Sequence, residues 1–208
     1  MRKFALLASA CAVLLFANVA NAQKGDVTVS GSTLMSATNP SDVATFQPLT
    51  EKQGTYVGLG ADIFNISHHI GLNVDSSWRY KQESYYGYEN YRPIFVSANA
   101  LYESKVSRKV EIGVVGGIGV ASNRFDLLTS CGTPGCVNYN SSNHFMEDLG
   151  IGVRYYVWHR IPHIFVRPEV RYYHIQDNQG FNSSNVFRLG VSVGYTIGKR
   201  PVSVKAKH

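Results

Sequence analysis

Apolar and polar residues alternate with a period of two through most of this chain, the pattern of strands whose two faces meet different surroundings. Eight segments carry it, at about 25–35, 54–65, 69–80, 93–103, 109–121, 145–157, 163–174 and 186–197. In the third, Ile70, Leu72, Val74, Trp78 and Tyr80 share one face, while Gly71, Asn73, Asp75, Ser77 and Arg79 share the other. The eighth repeats this, with Phe187, Leu189, Val191, Val193, Tyr195 and Ile197 against Arg188, Gly190, Ser192, Gly194 and Thr196. In the seventh, Ile164, Val166, Val170 and Tyr172 alternate with Phe165, Arg167, Glu169 and Arg171. Pro168 interrupts that strand. Proline has no N–H for the ladder, so a bulge or an unpaired position is expected there.

The connections alternate as well. They are short after the second, fourth and sixth segments (Ile66–His68, Ser104–Arg108, Trp158–Pro162) and longer after the first, third, fifth and seventh, the longest running from Ser122 to His144. Most segments reach the ~9–11 tilted residues that cross a bilayer as a strand. Together these features predict an all-β fold, an eight-stranded antiparallel up-and-down transmembrane barrel with short periplasmic turns and long extracellular loops.

Alternation alone does not say which face meets lipid. A soluble eight-stranded barrel such as a lipocalin also alternates, with its apolar face inward. Three details put the apolar face outside. The polar face carries Gly58, Gly60, Gly113, Gly117, Gly119, Gly150, Gly152, Gly190 and Gly194 among its charges, and small residues suit a crowded lumen. Its acids are Asp62, Asp75, Glu103, Glu111, Asp148 and Glu169, and its bases are Arg79, Arg154, Arg167, Arg171 and Arg188, arginine in every case and lysine in none. A planar guanidinium suits buried pairing with carboxylates, whereas wet surfaces use lysine freely. On the apolar face, Trp78, Tyr80, Tyr172 and Phe187 gather near the long-loop rim, and Tyr102, Tyr155 and Tyr195 near the short-turn rim. Two such bands match the aromatic girdles of a membrane barrel.

Composition sharpens this picture. Charged residues are 16% of the chain, against roughly 25% in soluble domains, too few to cover a solvated surface. The chain starts Met1-Arg2-Lys3, continues apolar from Phe4 to Val19 and then reads Ala20-Asn21-Ala22, the pattern of a cleaved signal peptide. The expected organisation is therefore a signal peptide at 1–22, a barrel at 23–197 and a basic periplasmic tail at 198–208. Loss of Arg2 and Lys3 lowers the formal charge from +6 to +4, and nucleic acid is not an expected partner. Export also bears on Cys131-Gly-Thr-Pro-Gly-Cys136. Pro134-Gly135 favours a tight turn, and an oxidising compartment lets the two thiols join as a disulfide. Two cysteines do not fill a zinc shell.

Arg188-Leu-Gly190-Val-Ser-Val193-Gly-Tyr195 resembles the polar-x-Gly-x-x-apolar-x-apolar pattern of the last strand of outer-membrane proteins, which the barrel-insertion machinery reads. With Asn143-His144-Phe145, Gly152-Val-Arg154-Tyr-Tyr156 and Phe165-Val-Arg167-Pro-Glu169, the stretch 23–197 resembles small outer-membrane barrels of the OmpA/OmpX and opacity-porin kind, and in particular the outer membrane protein beta-barrel domain family. The resemblance implies an integral outer-membrane protein surrounded by lipid and lipopolysaccharide and inserted by that machinery. The chain departs from the pattern after Ile197, where a basic tail stands in place of a terminal aromatic residue.

The charges of the polar face are the leading candidate site. In a small barrel interior side chains fill the space, and ionised groups there must be paired. The expectation is a lumen closed by an Arg–carboxylate network in a non-enzymatic protein with a structural or surface-interaction role. The alternative is a narrow porin-like channel for water, ions or small solutes. Lipid A deacylases on eight-stranded barrels carry a His-x-Ser-Asn motif. Here His174 is followed by Gln176 where the serine belongs, so catalytic residues are not expected. His68-His69 and His159-x3-His163 fall on opposite sides of the ring and each pair is under-coordinated, so neither metal nor cofactor is expected. The second long loop carries Tyr85, Tyr86, Tyr88 and Tyr91, large contact area at low entropic cost, and is a candidate surface for an extracellular partner.

Overall fold

A computed structural model describes residues 24–36, 54–64, 69–85, 89–126, 139–157, 163–176 and 185–198, and among them there is no helix. The strands are β1 (Lys24–Ser36), β2 (Thr55–Phe64), β3 (Ile70–Arg79), β4 (Glu83–Tyr85), β5 (Glu89–Lys105), β6 (Val110–Asp126), β7 (Tyr139–Tyr156), β8 (Ile164–Ile175) and β9 (Asn185–Gly198). They run in the order β3-β2-β1-β9-β8-β7-β6-β5, and β3 pairs with β5 to close an eight-stranded antiparallel barrel. The short β4 lies outside the ring, paired only with the start of β5. Lys24 pairs with Gly198, so the two described ends of the barrel meet at one rim, called here the terminal rim.

The wall is staggered. From Gly25 the cross-strand partners run through Ile63, Leu72, Ala100, Gly116, Leu149, Tyr172 and Phe187 and return to β1 at Met35, ten residues further along. With a rise of about 3.3 Å per residue and strands about 4.8 Å apart, that shift tilts the strands by about 40°. Pro168 does not bulge the wall. Gly152 pairs with Glu169 and Tyr155 with Val166, one unbroken register in which only the two intervening pairs are missing. On its other side Pro168 pairs normally with Val191. Of the two expected outcomes, the unpaired position holds.

Three strands run further than the alternation suggests. β5, β6 and β7 continue past the ends of their neighbours, with Asn90 opposite Asp126 and Asp126 opposite Tyr139. Together with β4 they stand as a sheet above the loop rim, which shortens the expected 122–144 loop from both sides.

The two faces are inverted relative to a soluble barrel. Val29, Leu59, Leu149 and Tyr195 point outward at 60, 52, 58 and 50% exposure, while Arg154 and Arg188 point inward at 1 and 0%. An apolar outer wall of this extent requires lipid around it, which removes the lipocalin alternative. Tyr102, Tyr155 and Tyr195 are exposed on the wall near the terminal rim, and Tyr80 and Phe187 near the loop rim. Inside, the lumen is layered. Leu34, Tyr56, Phe95, Ala121, Met146, Tyr173, Ile175 and Val186 form an apolar layer at the loop end, where Phe95 stacks on Tyr173 at 5.4 Å and Tyr56 tilts against Phe95 at 6.0 Å. Phe64, Tyr156 and Phe165 are buried near the terminal rim. The ion-paired charges lie between.

Candidate functional site

The inward period of two delivers the charges to the lumen: each strand contributes every second residue, and the stagger sets their heights. Toward the terminal rim, Arg154 from β7 is the hub. Its guanidinium reaches Asp26 at 2.9 Å, Asp62 at 3.0 Å, Glu103 at 2.6 Å and Glu111 at 3.2 Å. It also lies 4.4 Å over the Phe165 ring, an apolar face that holds the cation flat. Lys24 donates to Glu103 at 2.9 Å and to Glu111 at 3.2 Å, and the Tyr156 hydroxyl donates to Glu111 at 3.1 Å. Arg167 completes this group at 2.6 Å from Asp62.

A second group lies toward the loop rim. Arg171 pairs with Asp148 at 2.8 Å, and Arg188 with Asp75 at 2.7 Å and Glu169 at 3.1 Å. Two links join the groups. Glu169 also faces Arg167 at 3.3 Å and Arg171 at 3.8 Å. Across the lumen, Asn73 donates to Asp62 at 2.6 Å, and Asn99 donates to Asn73 at 3.0 Å and to Asp148 at 3.0 Å. The result is one connected network spanning the middle of the barrel. Neighbouring charges in such a low-dielectric space bind strongly only when paired, and here each base has carboxylates on more than one side.

The expected lumen residues Asp62, Asp75, Glu103, Glu111, Asp148, Arg154, Arg167, Glu169, Arg171 and Arg188 are all buried inside and joined by these contacts. Arg79 is buried too but lies higher, its guanidinium packed beside Gly54 at the loop end. Two charged participants escaped the sequence reading. Lys24 and Asp26, at the start of β1, are 1 and 2% exposed and belong to the network, so the expectation that every lumen base is arginine is corrected by Lys24. Their signal was present: they continue the face of Thr28, Ser30 and Ser32 by twos. The amides of Asn73 and Asn99 and the hydroxyl of Ser97 were likewise unassigned to this role, and Ser97 donates to Asp148 at 2.7 Å.

Asp26, Asp62 and Glu103 each bring one oxygen within 4.8 Å of the others, a spacing that suits a cation. Arg154 already provides one, contacting all three. A void of about 20 Å³ lies beside Leu101, Gly113, Val115 and Gly152, edged by Arg154 and Arg167, room for about one water.

At the terminal rim, His69 Nδ1 donates to the Glu103 carbonyl oxygen at 2.8 Å, since a carbonyl only accepts. Its ring lies by Tyr102, as the ring of His163 lies by Tyr195. His68 and His159 lie outside the described residues, as do the expected signal peptide at 1–22, Cys131, Cys136, residues 199–208 of the expected tail, Tyr86 and Tyr88. Tyr85 ends β4, and Tyr91 on β5 pairs with Glu83 of β4, so the expected loop is in part a hairpin.

Residues 5–196 match the outer membrane protein beta-barrel domain. Among curated proteins none matches the sequence. Solved structures with the same fold include Neisserial surface protein A, at 15% identity and a TM-score of 0.57, covering 83% of this chain and 95% of that one. Ail, the attachment invasion locus protein of Yersinia pestis, is similar at 12% identity and a TM-score of 0.54, covering 85 and 99%. The N-terminal beta-barrel domain of Pseudomonas aeruginosa OprF is similar at 11% identity and a TM-score of 0.53, covering 85 and 98%.

Proposed function

The chain belongs to the outer membrane protein beta-barrel domain family, and from that premise we propose that it is a non-enzymatic barrel, closed to solutes, with a structural and surface-interaction role. It is an integral protein of the outer membrane. The observation that carries the proposal is the filled lumen: a continuous ion-pair network between two layers of buried aromatic and aliphatic side chains. A permeant ion would have to displace charge pairs already satisfied by the protein, and in a low-dielectric space that costs more than a hydrated path allows. Such a plug also holds the wall rigid. The sheet formed by β4, β5, β6 and β7 above the loop rim is then a fixed platform, and the tyrosines around it are the surface offered to an extracellular partner. Gln176, in the position of the deacylase serine, supports the non-enzymatic part of the reading.

Export by the 1–22 segment, a Cys131–Cys136 disulfide, insertion through the pattern at 188–195 and a basic periplasmic tail complete the proposal. The test of closure is solute flux. Liposomes carrying the refolded barrel should swell in isotonic arabinose no faster than protein-free liposomes. Swelling that rises with protein content would make the lumen a path and put the narrow channel in this reading's place.

A further inference from the structure

The two rims of the barrel differ in charge. At the terminal rim the sequence contains no Asp or Glu in 65–69, 104–110 or 157–163, the stretches that join β2 to β3, β5 to β6 and β7 to β8. The same stretches contain Lys105, Arg108, Lys109 and Arg160. At the loop rim both signs are mixed, as in Lys81, Glu83, Glu89 and Arg92. The acids that flank the β5–β6 turn do not offset its charge outside the barrel. Glu103 and Glu111 point into the lumen, where Lys24 and Arg154 hold them.

Ser107 organises the β5–β6 turn. Its hydroxyl oxygen accepts from the amides of Lys109 at 3.3 Å and Val110 at 3.2 Å. The amides of Val106 and Ser107 converge on the Val110 carbonyl oxygen at 3.0 and 3.1 Å. Arg108 is exposed at the turn and Lys109 half-buried. The aromatic girdle sets the height of these cations. Val110, where the turn ends, pairs directly with Tyr155, which is exposed on the outer wall. The neighbouring turns also end beside girdle tyrosines: the His69 ring is 6.4 Å from Tyr102 and the His163 ring 5.6 Å from Tyr195. Interfacial tyrosines sit at headgroup level, so Arg108 and Lys109, just beyond Tyr155, are at the level of lipid phosphates. In this family's architecture the short turns face the periplasm, and the headgroups at this height are those of the inner leaflet.

We infer that the β5–β6 turn binds the phosphate of an acidic phospholipid of the inner leaflet, on Arg108 and Lys109. Charge selects the headgroup. A zwitterionic lipid brings a cation of its own, which a rim segment without acids does not neutralise, whereas an acidic headgroup brings net negative charge. Height selects lipid over a macromolecule below the membrane. Only Val106 to Lys109 separate the two strands, and the turn therefore stays beside the girdle. The site lies outside the lumen and on the rim opposite the β4–β7 platform, so it rests neither on closure nor on an extracellular partner.

The test uses the refolded barrel in nanodiscs made of equal parts phosphatidylethanolamine and phosphatidylglycerol, and counts retained lipids by native mass spectrometry. The wild-type barrel should retain phosphatidylglycerol in preference. Arg108→Gln/Lys109→Gln should lower that preference about tenfold. Arg108→Lys/Lys109→Arg, which keeps both charges, should preserve it. Heat-modifiable migration verifies that each variant is folded. Equal retention of the two lipids by the wild type would overturn the inference, as would an undiminished preference in the folded neutral variant. So would an equal loss in the charge-preserving variant, which would assign the effect to the shape of the turn and not to its cations.

Discussion

At the scale of single residues, Arg154 concentrates the energetics. Four carboxylates surround its guanidinium, and removing it leaves them buried together without their shared counter-charge. Arg154→Met is expected to lower stability by about 3–5 kcal/mol, measured by urea unfolding of the refolded barrel. Adding Asp26→Asn and Glu103→Gln to that variant should recover much of the loss, because the stranded charges go with the arginine. A single variant as stable as the wild type would show that the hub is not structural. Gly194 makes the opposite kind of point. A side chain there would run into the Phe165 ring, which is itself held against Tyr156 at 5.7 Å. Gly194→Val should therefore cost about 1–3 kcal/mol by overpacking, read in the same unfolding experiment. The identity of most lumen charges was legible because a period of two assigns each residue to a face. Their partners were not legible: Lys24 meets Glu103 across 79 positions of sequence, a distance that only the closure of the barrel removes. Lys24 itself was overlooked because it stands at the very start of β1, where the preceding residues continue no pattern.

At the scale of strands, the alternation was a good guide wherever the two faces meet different surroundings, and only there. All eight wall strands were found within a few residues at their terminal-rim ends. The outer stretches of β6 and β7, such as Asn123-Arg-Phe-Asp and Tyr139-Asn-Ser-Ser, pair with each other past the ends of the neighbouring strands, in a mostly polar stretch of sequence. With so few apolar residues there is no contrast to read, so these stretches passed for loop. Pro168 illustrates a strand tolerating a defect. It faces lipid, and its missing N–H leaves β7 without two pairs while the register survives. Pro168→Val is expected to restore one ladder hydrogen bond and raise stability by about 0.5–1.5 kcal/mol, with the new amide protected in hydrogen exchange. A destabilised variant would mean that the proline's fixed backbone matters more than the bond it forgoes.

At the scale of the whole molecule, the fold, its inverted faces and its place in the outer membrane were readable from pattern and resemblance. Export adds a prediction of its own: the protein recovered from outer membranes should have the intact mass of a chain beginning at Gln23, lighter by the two hydrogens of a Cys131–Cys136 disulfide. Eight strands staggered by ten residues enclose a narrow lumen, and the network with its two caps occupies its middle. That closure is the central claim, and single-channel recording of the refolded barrel in a planar bilayer tests it most directly. The wild-type protein should be silent over a range of voltages, and the folded Arg154→Met variant should show openings or noise that the wild type lacks. Discrete, reproducible wild-type openings that Arg154→Met leaves unchanged would contradict the claim.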